Sequence, residues 1–488
     1  MLYDQAQATG FVQSPQIPCG SHRAPPHITV LPPFEAVIFV FRARIARQGI
    51  ICVLLAVGVA CASKPIEVTT PAIVAVDTTN RAPIRLRKAA PAGSFWEAIG
   101  NLDADYPTGH HTTPDQSAFA AALRLLMLAQ HDKAELLLDS LRRSSGDSIV
   151  RMASHILLTA TLQYQDKWKE LAALPLRESR VDTLDRDKAG VELWAAAFKD
   201  APPRQFVFPP GPVVLPLSLS VAGTPVIPVM VNGRPKRFWL DTGSSMSIIA
   251  SDVAAECGVE ALVKDTLEVA TTTGRISARP TSIRQLDIGG ITIANSTGMI
   301  VASRLLEVYV DDTPTRKRRL AIDGIIGFDI ISRLNMRLDY GDGTVTLTKS
   351  VRSEGQGEKQ RNFFWVGTPI VRLIAPGGIP LHLGLDTGSQ ETYATDRLLA
   401  KTRPRTFIGE RTRIGGFGGT TEFRGKFIAE LRLSLRGKAL LFQKVLVFAP
   451  AVSTFVNLDG VLGNDIARTG IIRLDATNGI FSVENRER

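Results

Sequence analysis

The chain of 488 residues is poor in cysteine, with four, at Cys19, Cys52, Cys61 and Cys257. They show neither metal-ligand spacing nor a paired framework, which argues against a disulfide-stapled or zinc-bound fold. No apolar run is long enough to span a bilayer as a helix; Ile50 to Ala60 is too short. Charge of one sign is not concentrated. The formal net charge is +10, but the basic residues are scattered rather than striped, so a soluble basic surface is expected and no nucleic-acid site. His110-His111 sits in a polar turn without a third ligand in view. Nothing reads as a nucleotide or metal site, and no cofactor is expected.

At this length two to four domains are expected. Residues 1–62 read as a leader and export signal. Arg42, Arg44 and Arg47 precede the apolar run Ile50 to Ala60, and small residues end it. The leader before the run is long, and Val37 or Val40 is an expected true start. Ala60-Cys61-Ala62 fits a peptidase site, and Val59-Ala60-Cys61 also resembles a bacterial lipobox with Cys61 as the lipidated residue. Gly58 stands where that pattern has Leu or Val. The expectation is an exported protein: periplasmic, held at the cell envelope by a lipid anchor, or secreted. Residues 63–93, with Pro65, Pro71, Pro83 and Pro91, read as an extended tether. With the leader removed only Cys257 stays in the folded body, as a small buried apolar residue.

Residues 94–200 read as an all-α region. Phe119, Ala122, Leu123 and Leu126 fall at helical spacing. So do Ala134, Leu137, Leu138 and Leu141, then Ile149, Met152, Ala153 and Ile156, then Trp168, Leu171 and Ala172. Four amphipathic helices make two hairpins. Leu123/Leu157 and Leu137/Leu171 stand 34 positions apart, which resembles tetratricopeptide repeats, although the glycine and aromatic positions of that motif are mostly missing. Such hairpins bind a partner protein or peptide; a helical prosegment or spacer is the plainer alternative. Ala201-Pro202-Pro203 and Pro209-Pro210-Gly211-Pro212 mark the boundary beyond it.

From there short β-branched runs alternate with glycine-containing turns, an all-β signature. The region is duplicated, as lobe 1 at 213–349 and lobe 2 at 362–486, with Arg352 to Arg361 as a polar hinge. Leu240-Asp241-Thr242-Gly243-Ser244 is echoed by Leu385-Asp386-Thr387-Gly388-Ser389, 145 positions later. Downstream, Asp323-Gly324-Ile325-Ile326-Gly327 is echoed by Asp459-Gly460-Val461-Leu462-Gly463. Asp329/Asp465, Arg337/Arg473, Leu338/Leu474 and Asp339/Asp475 match in the same register. A lone Asp-Thr-Gly is a common capped turn; two copies with matched sequels are not explained that way.

These motifs resemble those of the aspartic proteases. The two-fold arrangement resembles the bilobal pepsin-like enzymes, and the short lobes resemble bacterial retropepsin-like domains in tandem. The resemblance covers Val213 to Val483. It implies a bilobal acid-protease fold and an aspartic endopeptidase, with Asp241 and Asp386 as catalytic residues and a peptide or protein as substrate. Two lobes in one chain imply an active monomer. Thr242 and Thr387 resemble the family's paired threonines, which cross-link the two loops. Ser244 and Ser389 resemble the serines whose hydrogen bonds favour ionised aspartates, so an acid-leaning pH optimum is expected. Gly243 and Gly388 let the backbone come close to the carboxylates.

Two carboxylates a few ångström apart cannot both ionise cheaply and share a proton, which suits them to activate water. The family's flap is expected at Thr273-Gly274 in lobe 1 and at Gly416-Phe417 in lobe 2. The pepsin-like flap tyrosine has no counterpart in either. Arg316-Lys317-Arg318-Arg319 is a maturation cut site, an anion contact or, more simply, a solvated loop. A different class of function keeps the same fold without catalysis, as an exported peptide-binding scaffold.

Overall fold

Helix starts are written into the sequence by their caps. In the computed structural model, residues 93–174, 193–220, 223–271, 274–313, 316–353, 360–416, 419–448, 455–467 and 470–484 are described. The leader, Cys61 and the Pro-rich tether lie outside them. Helix α1 (Phe95–Gly100) starts at Ser94, whose hydroxyl accepts from the Glu97 N–H. Helix α2 (Pro114–Met127) opens on a reciprocal pair, Thr113 and Gln116, with Pro114 in its first turn. Helix α3 (His131–Ser144) follows a short turn. Helix α4 (Ser148–Tyr164) is capped by the Asp147 carboxylate, which accepts from the Ile149 and Val150 N–H groups. Helix α5 (Trp168–Ala172) is short.

The stripes of α2 and α3 bury as their spacing indicates, Phe119, Leu123 and Leu126 against Ala134, Leu138 and Leu141. In α4 the buried face is displaced from the expected one. Val150, Ala153, Leu157 and Leu158 are buried, whereas Ile149 and Ile156 are exposed. That helix is apolar around much of its circumference, so periodicity alone offers two stripes, and packing against α3 and α5 selects one.

The two halves of the chain beyond residue 204 are β-rich lobes joined through one antiparallel sheet. Its order is Val213–Pro216, Thr344–Lys349, Leu334–Asp339, Ile471–Asp475, Ile480–Glu484. At its centre Arg337 lies opposite Arg473, and Met336 opposite Leu474. Arg337 and Arg473 are equivalents in the duplication, so the pseudo-two-fold relation of the lobes passes through that pair. Within lobe 1 the strand Arg234–Leu240 runs parallel to Gly324–Ile326, with Leu240 opposite Ile326. In lobe 2 Ile379–Leu385 runs parallel to Gly460–Leu462, with Leu385 opposite Leu462. Each Asp-Thr-Gly thus emerges from a strand whose apolar neighbours are fully buried. Cys257 is buried and unbridged.

The basic run is not a loop. Arg316–Ala321 is a strand, antiparallel to Glu307–Thr313, with Asp311 opposite Lys317. Val308, Tyr309 and Val310 in its partner supply the strand propensity that a reading of charge alone passes over.

The described helices and both lobes belong to one compact unit. The carbonyls at and just beyond the end of α2 have no partner inside the helix, and arginines from either end of the hinge take two of them. Arg361 donates to Met127 O at 3.2 Å and Arg352 to Ala129 O at 2.7 Å. Tyr164 packs its ring, tilted, 4.2 Å from that of Trp365 of lobe 2, and its carbonyl accepts from Arg333 of lobe 1 at 2.6 Å. Arg204, 2% exposed, pairs with Asp166 of the helical region at 3.3 Å and Asp329 of lobe 1 at 3.0 Å. The helical region is therefore built into the body of the protein rather than held beside it.

Candidate active site

Asp241 and Asp386 sit at the ends of equivalent strands, and the fold brings them together. Their carboxyl groups come close enough to act on each other. Gly243 lies against Asp386, where an added Cβ would fall 2.6 Å from the carboxyl carbon. Gly388 lies against Asp241 in the same way, at 2.5 Å. No side chain fits at either glycine, so each loop can approach the other's carboxylate only because both are glycine.

The threonines interlock. Thr242 N–H donates to the Thr387 hydroxyl at 3.0 Å, and Thr387 N–H donates to the Thr242 hydroxyl at 2.9 Å. Each hydroxyl then donates across the lobes, Thr242 to Leu385 O at 2.9 Å and Thr387 to Leu240 O at 2.8 Å. All four bonds are buried, so they hold the two carboxyls in register.

The serines do something other than expected. The Ser244 hydroxyl donates to Met246 O at 2.7 Å, and the Ser389 hydroxyl to Glu391 O at 2.8 Å. The carboxylates are met by backbone instead. Gly243 N–H and Ser244 N–H donate to Asp241 Oδ1 at 2.8 and 3.2 Å, and Ser389 N–H to Asp386 Oδ1 at 3.0 Å. The turn after each Asp folds its own N–H groups onto the carboxylate, which leaves the hydroxyl free to close the next turn.

Burial is the largest influence on both acids and pushes both above the usual carboxylate range. Asp241 is pushed further up by the charge of Asp386. The two acids titrate as a pair that keeps a proton above the ordinary carboxylate range.

The duplication also carries a support that motif reading missed. Ser247 donates to Asp329 at 2.9 Å and accepts from Gly327 N–H at 3.0 Å. Thr392 donates to Asp465 at 2.6 Å and accepts from Gly463 N–H at 3.1 Å. Each relay ties the segment after Asp-Thr-Gly to the glycine behind it, and the matched Asp329/Asp465 pair was its visible trace. Asn464 adds an asymmetric tie: its side-chain amide donates to Thr387 O while its oxygen accepts from Tyr340 at 2.8 Å.

The expected flaps fall at the ends of two antiparallel strand pairs. One closes at Thr271 and Gly274, the other at Gly416 and Gly419. Thr273 and Phe417 lie outside the described residues. His110 is an exposed ring stacked at 3.9 Å on Tyr106.

Residues 227–330 match a family model described as aspartyl protease. Over these residues lobe 1 is similar to the aspartyl proteases. The match contains Asp241 and the Asp323–Gly327 segment, and it supports a protease-type function. Lobe 2 repeats the same strand, loop and support geometry outside the matched residues. Among the solved structures similar to this chain is a retropepsin-like aspartic protease from Rickettsia conorii, 17% identical, covering 30% of this chain and 92% of that one, at a TM-score of 0.20. No curated protein matches the chain.

Proposed function

We propose that the chain is an aspartic endopeptidase in which Asp241 and Asp386 form one dyad. The observation that carries this reading is the apposition of two buried carboxyls from different lobes, each against the other loop's glycine and held by the interlocked Thr242 and Thr387, in a site that raises both above the ordinary range. The ionised member of the pair takes a proton from a water held between the two. The water oxygen bonds to the scissile carbonyl carbon while the protonated member gives its proton to the carbonyl oxygen. The tetrahedral species then collapses. The C–N bond breaks, the amine leaves with the proton taken from the water, and the other aspartate recovers its own from a hydroxyl of the collapsing species. The scheme needs no covalent intermediate.

Gly243 is exposed, which leaves room for an extended peptide beside the dyad. The expected site of action is outside the cytoplasm, following the export signal, with one chain sufficient for activity. The test is cleavage of a mixed peptide library from pH 3 to 8 by wild type, Asp241→Asn and Asp386→Asn, each checked for folding. Cleavage by wild type and loss of at least about a thousandfold in both variants supports the dyad. A folded wild type that cuts nothing but binds peptides favours the scaffold.

A further inference from the structure

A cavity of about 80 Å³ lies where α4 and α5 meet both lobes, and it reaches the Asp241 loop itself. Its walls include Gln163 and Tyr164 of the helical region, Gly243 and Ser245 of lobe 1, and Trp365 and Thr368 of lobe 2. Gly243 is the residue that abuts Asp386, so cavity and dyad share a wall. Lobe 2 meets α4 at Gly367, which at φ +76° faces Ala160: an added Cβ would stand in ordinary contact, 3.8 Å from the Ala160 Cβ.

We propose that this cavity is a substrate subsite completed by the helical region, taking a short, uncharged, hydrogen-bonding side chain such as Asn, Ser or Thr. The inference rests on the protease reading for its substrate, a peptide. Three facts set the chemistry. The volume is room for a few water-sized groups, enough for the tip of a short side chain and not for a long or aromatic one. The side chains of Gln163, Ser245 and Thr368 have no hydrogen-bond partner among the described residues and are not fully buried, so a donor and acceptor group finds partners on all three sources of wall. The charges at the cavity are already matched. Arg204 is held by Asp166 and Asp329, so an entering cation meets the guanidinium and an entering anion meets two carboxylates. Tyr164 and Trp365 supply an apolar flank to the remaining carbon atoms.

The helical region is then part of the specificity of the enzyme, in addition to any partner it binds. The experiment is a positional scan of cleaved peptides with wild type, Gln163→Leu and Ala160→Leu. The first removes hydrogen-bonding capacity and the second fills the space. Thr368→Val, on the opposite wall, stands in if either fails to fold. The expected result is that wild type prefers Asn, Ser or Thr over Val, Asp and Lys by about tenfold at one position, and that this ratio flattens to within about twofold in the variants. Cleavage with no such preference, or a preference that survives the variants, overturns the subsite and leaves the protease reading intact. If folded wild type cleaves nothing, the protease reading fails by itself. The same peptide scan is then read by binding to the full chain: a preference lost in the variants supports the subsite, and its absence overturns it.

Discussion

Thr242 and Thr387 each give the other a backbone N–H and each reach past it to the carbonyl before the opposite aspartate. That exchange is the only place where the two Asp-Thr-Gly loops are bonded side by side through buried hydroxyls among the described residues. Thr242→Val keeps the shape and removes one hydroxyl. The Thr387 N–H and the Leu385 carbonyl are then left buried without partners. The expected cost is about 3 kcal/mol of stability, read by denaturant unfolding, together with a fall in kcat larger than the change in KM. A variant as stable and active as wild type would show that the lobes are aligned by their shared sheet alone.

Docking of the helical region makes a second prediction. Its removal up to Pro210 uncovers Trp365 and takes the Met127 carbonyl from Arg361 and the Ala129 carbonyl from Arg352. The lobes alone are expected to melt lower and to aggregate. The milder Tyr164→Ala, read as a drop in Tm, is expected to cost about 2 kcal/mol. An inhibitory prosegment behaves oppositely: cutting it away raises activity and leaves the lobes stable.

Buried histidine gives a third. His382 is 4% exposed, and burial, reinforced by Arg372, Lys401 and Arg397, pushes its ring down to about 3. In the unfolded chain it titrates near 6.5. As pH falls from 6.5 toward 3 the unfolded state takes up a proton that the folded state does not, so stability falls with pH across that window. In His382→Gln the decline of Tm between pH 6.5 and 4 is expected to be shallower than in wild type. Parallel slopes would show that His382 does not contribute.

Much of this was readable from the chain, and the reasons for the misses are physical. Duplication exposed Asp241 and Asp386, the glycines beside them and the Asp329/Asp465 pair, because two copies of a functional loop need the same residues in the same order. The Ser244 and Ser389 hydroxyls went elsewhere because backbone N–H groups had already met the carboxylates, a matter of turn geometry that residue type does not encode. The buried face of α4 and the grip of Arg361 and Arg352 on α2 depend on partners distant in sequence. The strand Arg316–Ala321 was hidden by its charge.

The raised pKa of the Asp241/Asp386 pair has its own consequence for stability. Between the ordinary carboxylate range and the raised one, the folded pair keeps a proton that the unfolded chain has lost, so stability declines as pH rises through that window. Asp241→Asn removes the shared proton and is expected to melt higher than wild type at pH 8, with a smaller difference at pH 4. Matching curves at both pH values would count against a coupled pair.

The most direct measurement is carboxyl carbon NMR of aspartate-labelled protein, titrated across the folded range in wild type, Asp241→Asn and Asp386→Asn. One proton shared between the lobes predicts that both resonances move together in two steps, the upper one above the usual carboxylate range. Either substitution then collapses this to a single step for the remaining acid. If Asp241 and Asp386 each titrate in one step of their own, unchanged when the other is replaced, the two lobes do not form a dyad.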